Sequence, residues 1–176
     1  MSVEFNPSEM KTLFSFPKPV NDYAARMVAF FVVALALAFQ VTGNDYVLIF
    51  LAYGFVARTL TGPSLSPIGQ LVTRVLIPLL RVPNKPVPGP PKRFAQSIGL
   101  GFCIAALVTF YLGDSVIITR YLIGTLGLFA SIEAFLGFCT GCYVFGWLMR
   151  FGIIPDSICE ECRIDYPDSQ TGTETI

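Results

Sequence analysis

Apolar residues fall along the chain in four blocks separated by short polar breaks, at about 24–43, 46–60, 95–113 and 116–149. A helix needs about 20 residues to cross a bilayer core, so the first and third blocks predict transmembrane helices of suitable length. The second block spans about 22 Å at roughly 1.5 Å per residue, which predicts a short span whose Arg58 snorkels to the interface. The fourth would reach about 51 Å as one straight helix. That is too long for a single span, so a kink or break is expected near Gly137 to Gly141. Almost no polar stripe runs along any block, which argues against a bundle in water.

Between the second and third blocks the pattern changes. Ser66-Pro67 reads as an N-cap followed by proline at the first helical position. Ile68, Leu71, Val72, Val75, Leu76 and Leu79 then recur at helical spacing, predicting a short interfacial helix stopped by Pro78. Residues 82–91 carry prolines at 83, 86, 88, 90 and 91 and predict an extended connector. Gly43-Asn44-Asp45 and Gly113-Asp114-Ser115 predict tight turns. The first span follows a 23-residue polar lead and reads as a retained helix rather than a cleaved signal peptide. The expected fold is an all-α integral membrane protein with four transmembrane helices, one short cytoplasmic interfacial helix and a broken fourth span. It divides into a lead (1–23), a membrane domain (24–150) with a basic, proline-rich loop at 61–94, and an acidic tail (151–176).

Composition and charge sharpen this picture. Of 176 residues, 53% are hydrophobic and only 14% charged, against about a quarter charged in a typical soluble domain. The 12 basic and 12 acidic side chains cancel, but they are segregated. Arg58, Arg74, Arg81, Lys85, Lys92 and Arg93 follow one another with no acid between them, and the positive-inside rule makes that loop cytoplasmic. Parity then puts both termini in the cytoplasm of a cell whose inner membrane holds the protein, with the lipid bilayer as its partner and no nucleic acid. Residues 151–176 hold Asp156, Glu160, Glu161, Asp165, Asp168 and Glu174 against Arg163 alone, so the tail is expected to dock by attraction near the basic loop. Lys92 and Arg93, at the start of a span, form a candidate anion site beside free helix N–H groups, or else contact lipid headgroups.

The chain has no histidine, which excludes Ser-His and Cys-His catalytic pairs and imidazole metal ligands. What remains is sulfur. Cys103 sits alone in the third span and reads as a packing residue, part of a small-residue stripe with Gly99 that predicts close contact between the third and fourth spans. The other four cysteines form two C-x-x-C pairs, Cys139-Cys142 at the cytoplasmic end of the fourth span and Cys159-Cys162 in the tail. Three readings stay open. The pairs could cycle between dithiol and disulfide, one passing equivalents to the other, particularly if a new helix starts near Cys142 and its dipole favours thiolate. They could together hold one zinc as a structural tetrathiolate, making the protein a scaffold. Or they could have no joint role. Glu133, an acid inside a span, is the candidate proton acceptor for a thiol, or else an anchor between spans. On a continuous helix it would point away from Cys139, so only a kink could bring the two together. A small-solute transporter is a further alternative, without obvious inverted repeats.

Several segments carry a resemblance. Gly62-Pro63-Ser64-Leu65-Ser66-Pro67, the run Val87-Pro88-Gly89-Pro90-Pro91-Lys92-Arg93-Phe94-Ala95-Gln96, Ile132-Glu133-Ala134 and Gly137-Phe138-Cys139-Thr140-Gly141-Cys142 are the segments in question. Through them residues 15–165 resemble an uncharacterised bacterial membrane family, the domain of unknown function forty-three ninety-five. The resemblance implies a four-span membrane protein and a setting among soluble thioredoxin-like and sulfurtransferase partners. It implies no particular activity.

Overall fold

The computed structural model describes residues 20–62, 64–81, 85–113 and 115–151. Helix α1 (Asp22–Thr42) begins where the Asn21 side chain accepts the Tyr23 N–H at 3.1 Å. It ends at Gly43, whose φ of 62° suits glycine and whose N–H reaches the Phe39 carbonyl at 2.8 Å. Asn44 at once caps α2 (Asp45–Thr61) by accepting the Tyr46 N–H at 2.9 Å. The expected turn is thus a stop signal and a start signal placed back to back.

Ser66 caps α3 (Pro67–Leu71) as expected, accepting the Gly69 N–H at 3.2 Å. The helix does not stop at Pro78, however. It widens into a π turn (Val72–Leu76) and continues as α4 (Ile77–Leu80) before Arg81 turns left-handed at φ 48°. A proline ring clashes with the carbonyl four residues back, here that of Arg74, and a π turn moves this carbonyl out of the α register. Ile68 and Val72 are buried against Ala24 and Val28 of α1, while Leu71, Val75 and Leu79 face outward.

The proline-rich connector is also shorter than expected. Helix α5 (Gly89–Tyr111) takes Pro90 and Pro91 into its first turn, where the missing N–H groups would have had no helical partner. What stays extended is β2 (Pro86–Val87), which pairs antiparallel with β1 (Val20–Asn21), Val20 opposite Val87. Helix α6 (Val116–Ser131) passes into a second π turn (Ile132–Leu136), and Gly137 ends it at φ 68°. After Phe138, Cys139 caps α7 (Thr140–Arg150), so the break falls where the length of the apolar block required one.

Helix α1 packs on α6, α2 on α5, and α5 on both α6 and α7. The shared core includes Val32, Phe39, Leu48, Leu51, Phe55, Cys103, Ala106 and Ile123. Gly99 has no room for a side chain because a Cβ there would overlap the Phe55 ring, and wholly buried Cys103 continues the same face. Gly101, two positions on, has open space around it. The stretches Asp22–Thr42, Gly89–Tyr111 and Val116–Leu136 are long and apolar enough to cross a membrane, and α2 is shorter at 17 residues. Their outward positions, among them Leu37, Ile117 and Leu128, are exposed and apolar, which suits lipid and not water.

At one end of the bundle the helices are tied by charge. Lys92 Nζ, in the first turn of α5, lies 2.8 Å from Glu133 Oε1 in the second π turn and 3.4 Å from Asp22 Oδ1 at the start of α1. Asp22 Oδ2 also accepts from Arg26 at 3.1 Å. The Lys92 and Asp22 side chains are each 8% exposed, so this is a buried network of alternating sign. Arg26 in turn occupies the space that a side chain at position 137 would need.

Two predictions follow from the packing and the clamp. Gly141 and Gly146 both lie in α7, yet a Cβ at Gly141 would sit 2.6 Å from the Ala95 backbone while one at Gly146 meets nothing. Gly141→Ala is expected to destabilise by about 1–3 kcal/mol through overpacking, whereas Gly146→Ala gains up to about 1 kcal/mol of helix propensity. Thermal unfolding in detergent reads both, and equal effects would show that α7 is not held against α5. Lys92→Met leaves two buried carboxylates without their shared cation and should cost about 3–5 kcal/mol, recovered in part by Lys92→Arg.

Candidate functional site: a thiol pair at a helix break

The break creates the site. Gly137 reverses the backbone sign, Phe138 leads away, and Cys139 adopts an extended conformation with φ −87° and ψ 101°. Its sulfur then takes the place that a serine or aspartate oxygen usually holds at a helix start, accepting the Cys142 N–H at 3.3 Å. The Cys142 thiol, three residues on, acts on the same sulfur as well. Both cysteines are partly buried and both are free thiols.

The two sulfurs are therefore unlike. The hydrogen bond from Cys142 pulls the Cys139 thiol below the ordinary cysteine range. Burial and the Glu133 carboxylate oppose this, while the Lys92 ammonium and the Cys142 N–H support it. Cys142 is pushed strongly upward, first by donating to Cys139, then by burial and by the charge of its partner. Proximity to the positive end of α7 acts on Cys139 in the same sense as its hydrogen bonds. The pair is thus split, with the Cys139 thiol shifted down and the Cys142 thiol shifted up.

Glu133 lies in the turn just before the break, at the same end of the bundle. Its Oε1 is engaged by Lys92, so it serves as an anchor between α5 and α6 while its charge acts on both sulfurs. Asp22, which lay outside the expected first span, is a second buried acid at the same end. Lys92 does not face outward toward an anion: it is buried and turned onto two carboxylates. Arg93 is on the surface and donates to the Thr59 carbonyl at 3.2 Å. Cys159 and Cys162, and with them the acidic tail, lie outside the described residues. Among the described residues no three metal-ligating side chains stand together.

Arg58 departs most from expectation. It does not snorkel but points into the bundle, only 4% exposed. Its guanidinium lies 4.5 Å from the centre of the Phe55 ring and its Nε donates to Gln96 Oε1 at 3.0 Å. A cavity of about 200 Å³ opens beside it, and its walls include Phe55, Gln96, Phe102, Glu133 and Cys139. Arg58, Gln96 and Asp22 were not legible as site residues because their pairings cross from one helix to another. Only the doublet Asn21-Asp22, at the edge of an apolar block, marked a buried end.

The family model described as Domain of unknown function (DUF4395) matches residues 20–150, from the first strand to the end of α7. No curated protein matches the chain, and no solved structure does. The matched stretch contains the clamp, the break and the Cys139-Cys142 pair, and covers well over half of the sequence. The chain therefore belongs to this family of unknown function, DUF4395.

Proposed function

We propose that the protein handles thiols or sulfur at the cytoplasmic face of a membrane, with Cys139 as nucleophile and Cys142 as resolving thiol. The observation that carries this reading is the Cys139 sulfur capping α7, 3.3 Å from the Cys142 N–H. In this reading α2 is a fourth, short span, the α3–α4 segment lies in the interface, and the basic loop faces the cytoplasm, as do both termini. Exposed Tyr143, Trp147 and Phe151 on α7 suit the headgroup level of a bilayer.

The proposed chemistry is thiol–disulfide exchange. The Cys139 thiolate attacks one sulfur of a substrate disulfide; that bond breaks and one substrate thiolate leaves. Cys142, its proton passed to Glu133, attacks the Cys139 sulfur of the mixed disulfide and releases the second thiolate. The pair is oxidised and the substrate reduced by two electrons. A soluble dithiol protein of thioredoxin-like chemistry would restore the pair, through Cys159 and Cys162 as a second pair. A sulfurtransferase partner would use the same thiolate as a sulfur acceptor.

Three measurements test this. Alkylation of Cys139 by iodoacetamide should reach half its maximal rate below the pH of about 8.5 at which a free cysteine does so, and fail as the pH falls through its lowered pKa. Cys142→Ala, which removes the side-chain donor, should move that midpoint upward, while Cys103→Ser leaves it unchanged; a midpoint at or above a free thiol's would sink the proposal. Metal analysis of the full chain decides against the four-cysteine scaffold unless about one equivalent of zinc is found whose chelation lowers the Tm. For topology, a membrane-impermeant maleimide should label Asp45→Cys in intact cells and Lys85→Cys only after the membrane is opened, each in a background lacking the native cysteines.

A further inference from the structure

Arg58 presents an unusual balance of forces. A guanidinium has five N–H donors, and here one, on Nε, is used by Gln96. Nη1 and Nη2 are buried, and among the described residues neither has a hydrogen-bond partner. Leaving such donors unmade costs more than replacing the side chain by an apolar one would, so a buried, half-used guanidinium calls for a ligand. Gly54, one turn earlier on α2, leaves room for the guanidinium itself, since a Cβ there would come to 3.3 Å from Nη1.

The charge balance points the same way. The neighbouring cluster has no acid to spare: Glu133 and Asp22 are matched by Lys92 and Arg26, and exposed Lys85 lies 4.0 Å from Asp22 as a third cation. Glu133, the carboxylate on the cavity wall, is held by Lys92 at 2.8 Å. Arg58 is left as a positive charge facing a cavity that is otherwise mostly apolar, with the Gln96 amide nitrogen as a further donor. The cavity, about 200 Å³, is smaller than the roughly 300–1,000 Å³ of sites for drug-sized ligands, so its occupant has few heavy atoms. Partly exposed Cys139 and Thr140 also line it, which gives the cavity a route outward at the helix break.

We propose that this cavity is a binding site for a small inorganic oxyanion, held through the paired Nη groups of Arg58 and presented to Cys139. A planar fork of donors fits the oxygens of such an ion two at a time. The inference extends the thiol reading by naming the class of small molecule that reaches the cysteine from inside the bundle. Its anion-binding part does not depend on thiol chemistry. Because the ion and a Cys139 thiolate are both negative, binding raises the pH at which Cys139 ionises, and thiolate formation weakens binding by the same factor.

The test uses the full chain in neutral detergent with sulfate as an unreactive probe and chloride at equal ionic strength as control. Saturating sulfate should raise the Tm by about 3 °C beyond chloride, and by at least as much in Cys139→Ser, which cannot ionise against the ion. Arg58→Met should abolish the shift, and Arg58→Lys, which keeps the charge but loses the fork, should weaken it on the order of tenfold in the sulfate needed. Sulfate should also slow alkylation of Cys139 in the wild type and not in Arg58→Met. If Arg58→Met does not fold, Arg58→Lys decides: a sulfate requirement equal to the wild type's would overturn the site. Equal shifts in wild type and Arg58→Met, or in sulfate and chloride, would mean a surface salt effect and overturn the site. A sulfate shift with an ordinary Cys139 titration would keep the anion site and remove the thiol function.

Discussion

A single ammonium group organises one end of this protein. Lys92 leaves the first turn of α5 and lies between a carboxylate at the start of α1 and another at the end of α6, at 3.4 and 2.8 Å. Taking a charge out of water is costly, and the cost is recovered only where partners are close and fixed. The same requirement makes the cluster directional. Three helices that could otherwise slide along apolar faces are held at one relative height. The π turn that carries Glu133 and the glycine after it, packed against Arg26, follow from that constraint. Cys139 is placed two residues further on.

The thiol site is thus a consequence of how a long apolar block ends. A straight helix through residue 149 would have turned Glu133 and Cys139 to different sides. Instead the helix widens, stops at Gly137 and restarts with a sulfur as its cap. Starting a helix exposes N–H groups and the positive end of its dipole, and both favour an anion at the capping atom. The second cysteine lies where the capped N–H does, so that one residue supplies a backbone donor and a side-chain donor to the same sulfur. This gives C-x-x-C spacing its local meaning, because the helix start puts the donor three positions after the cap, with two residues between. The close contact of Gly141 with Ala95 keeps that first turn against α5, within the field of Lys92.

What could be read in the sequence was local. Gly43-Asn44, Ser66-Pro67 and the position of the break rest on signals within a few residues, and the structure bears these out. Two proline readings failed for a local reason too. Proline excludes helix only where its missing N–H or its ring meets an α-helical carbonyl, and both a first turn and a π turn avoid that. The charged residues were misread for a different reason. Arg58 and Lys92 are near the ends of apolar blocks, where a long cation ordinarily turns to water. Their partners, Gln96 for one and Asp22 with Glu133 for the other, lie 38, 70 and 41 residues away. No periodicity within a block encodes a contact at such separations.

Those inward cations change the meaning of the basic loop. As a topology signal, every lysine and arginine between the second and third blocks counts alike. In the folded chain they divide into cations on the outside, such as Arg74 and Arg81, and two that are buried. A bilayer sorts charges by side, whereas a packed helix end sorts them by partner, and the second selection is stricter. Lys92 satisfies it with two carboxylates. Arg58 meets it with one hydrogen bond and an aromatic face, leaving donors without a partner among the described residues beside a cavity that Cys139 also lines. Burying that residue is justified energetically only if something supplies the missing acceptors. An oxyanion bound there, as proposed, would supply them beside the Cys139 sulfur.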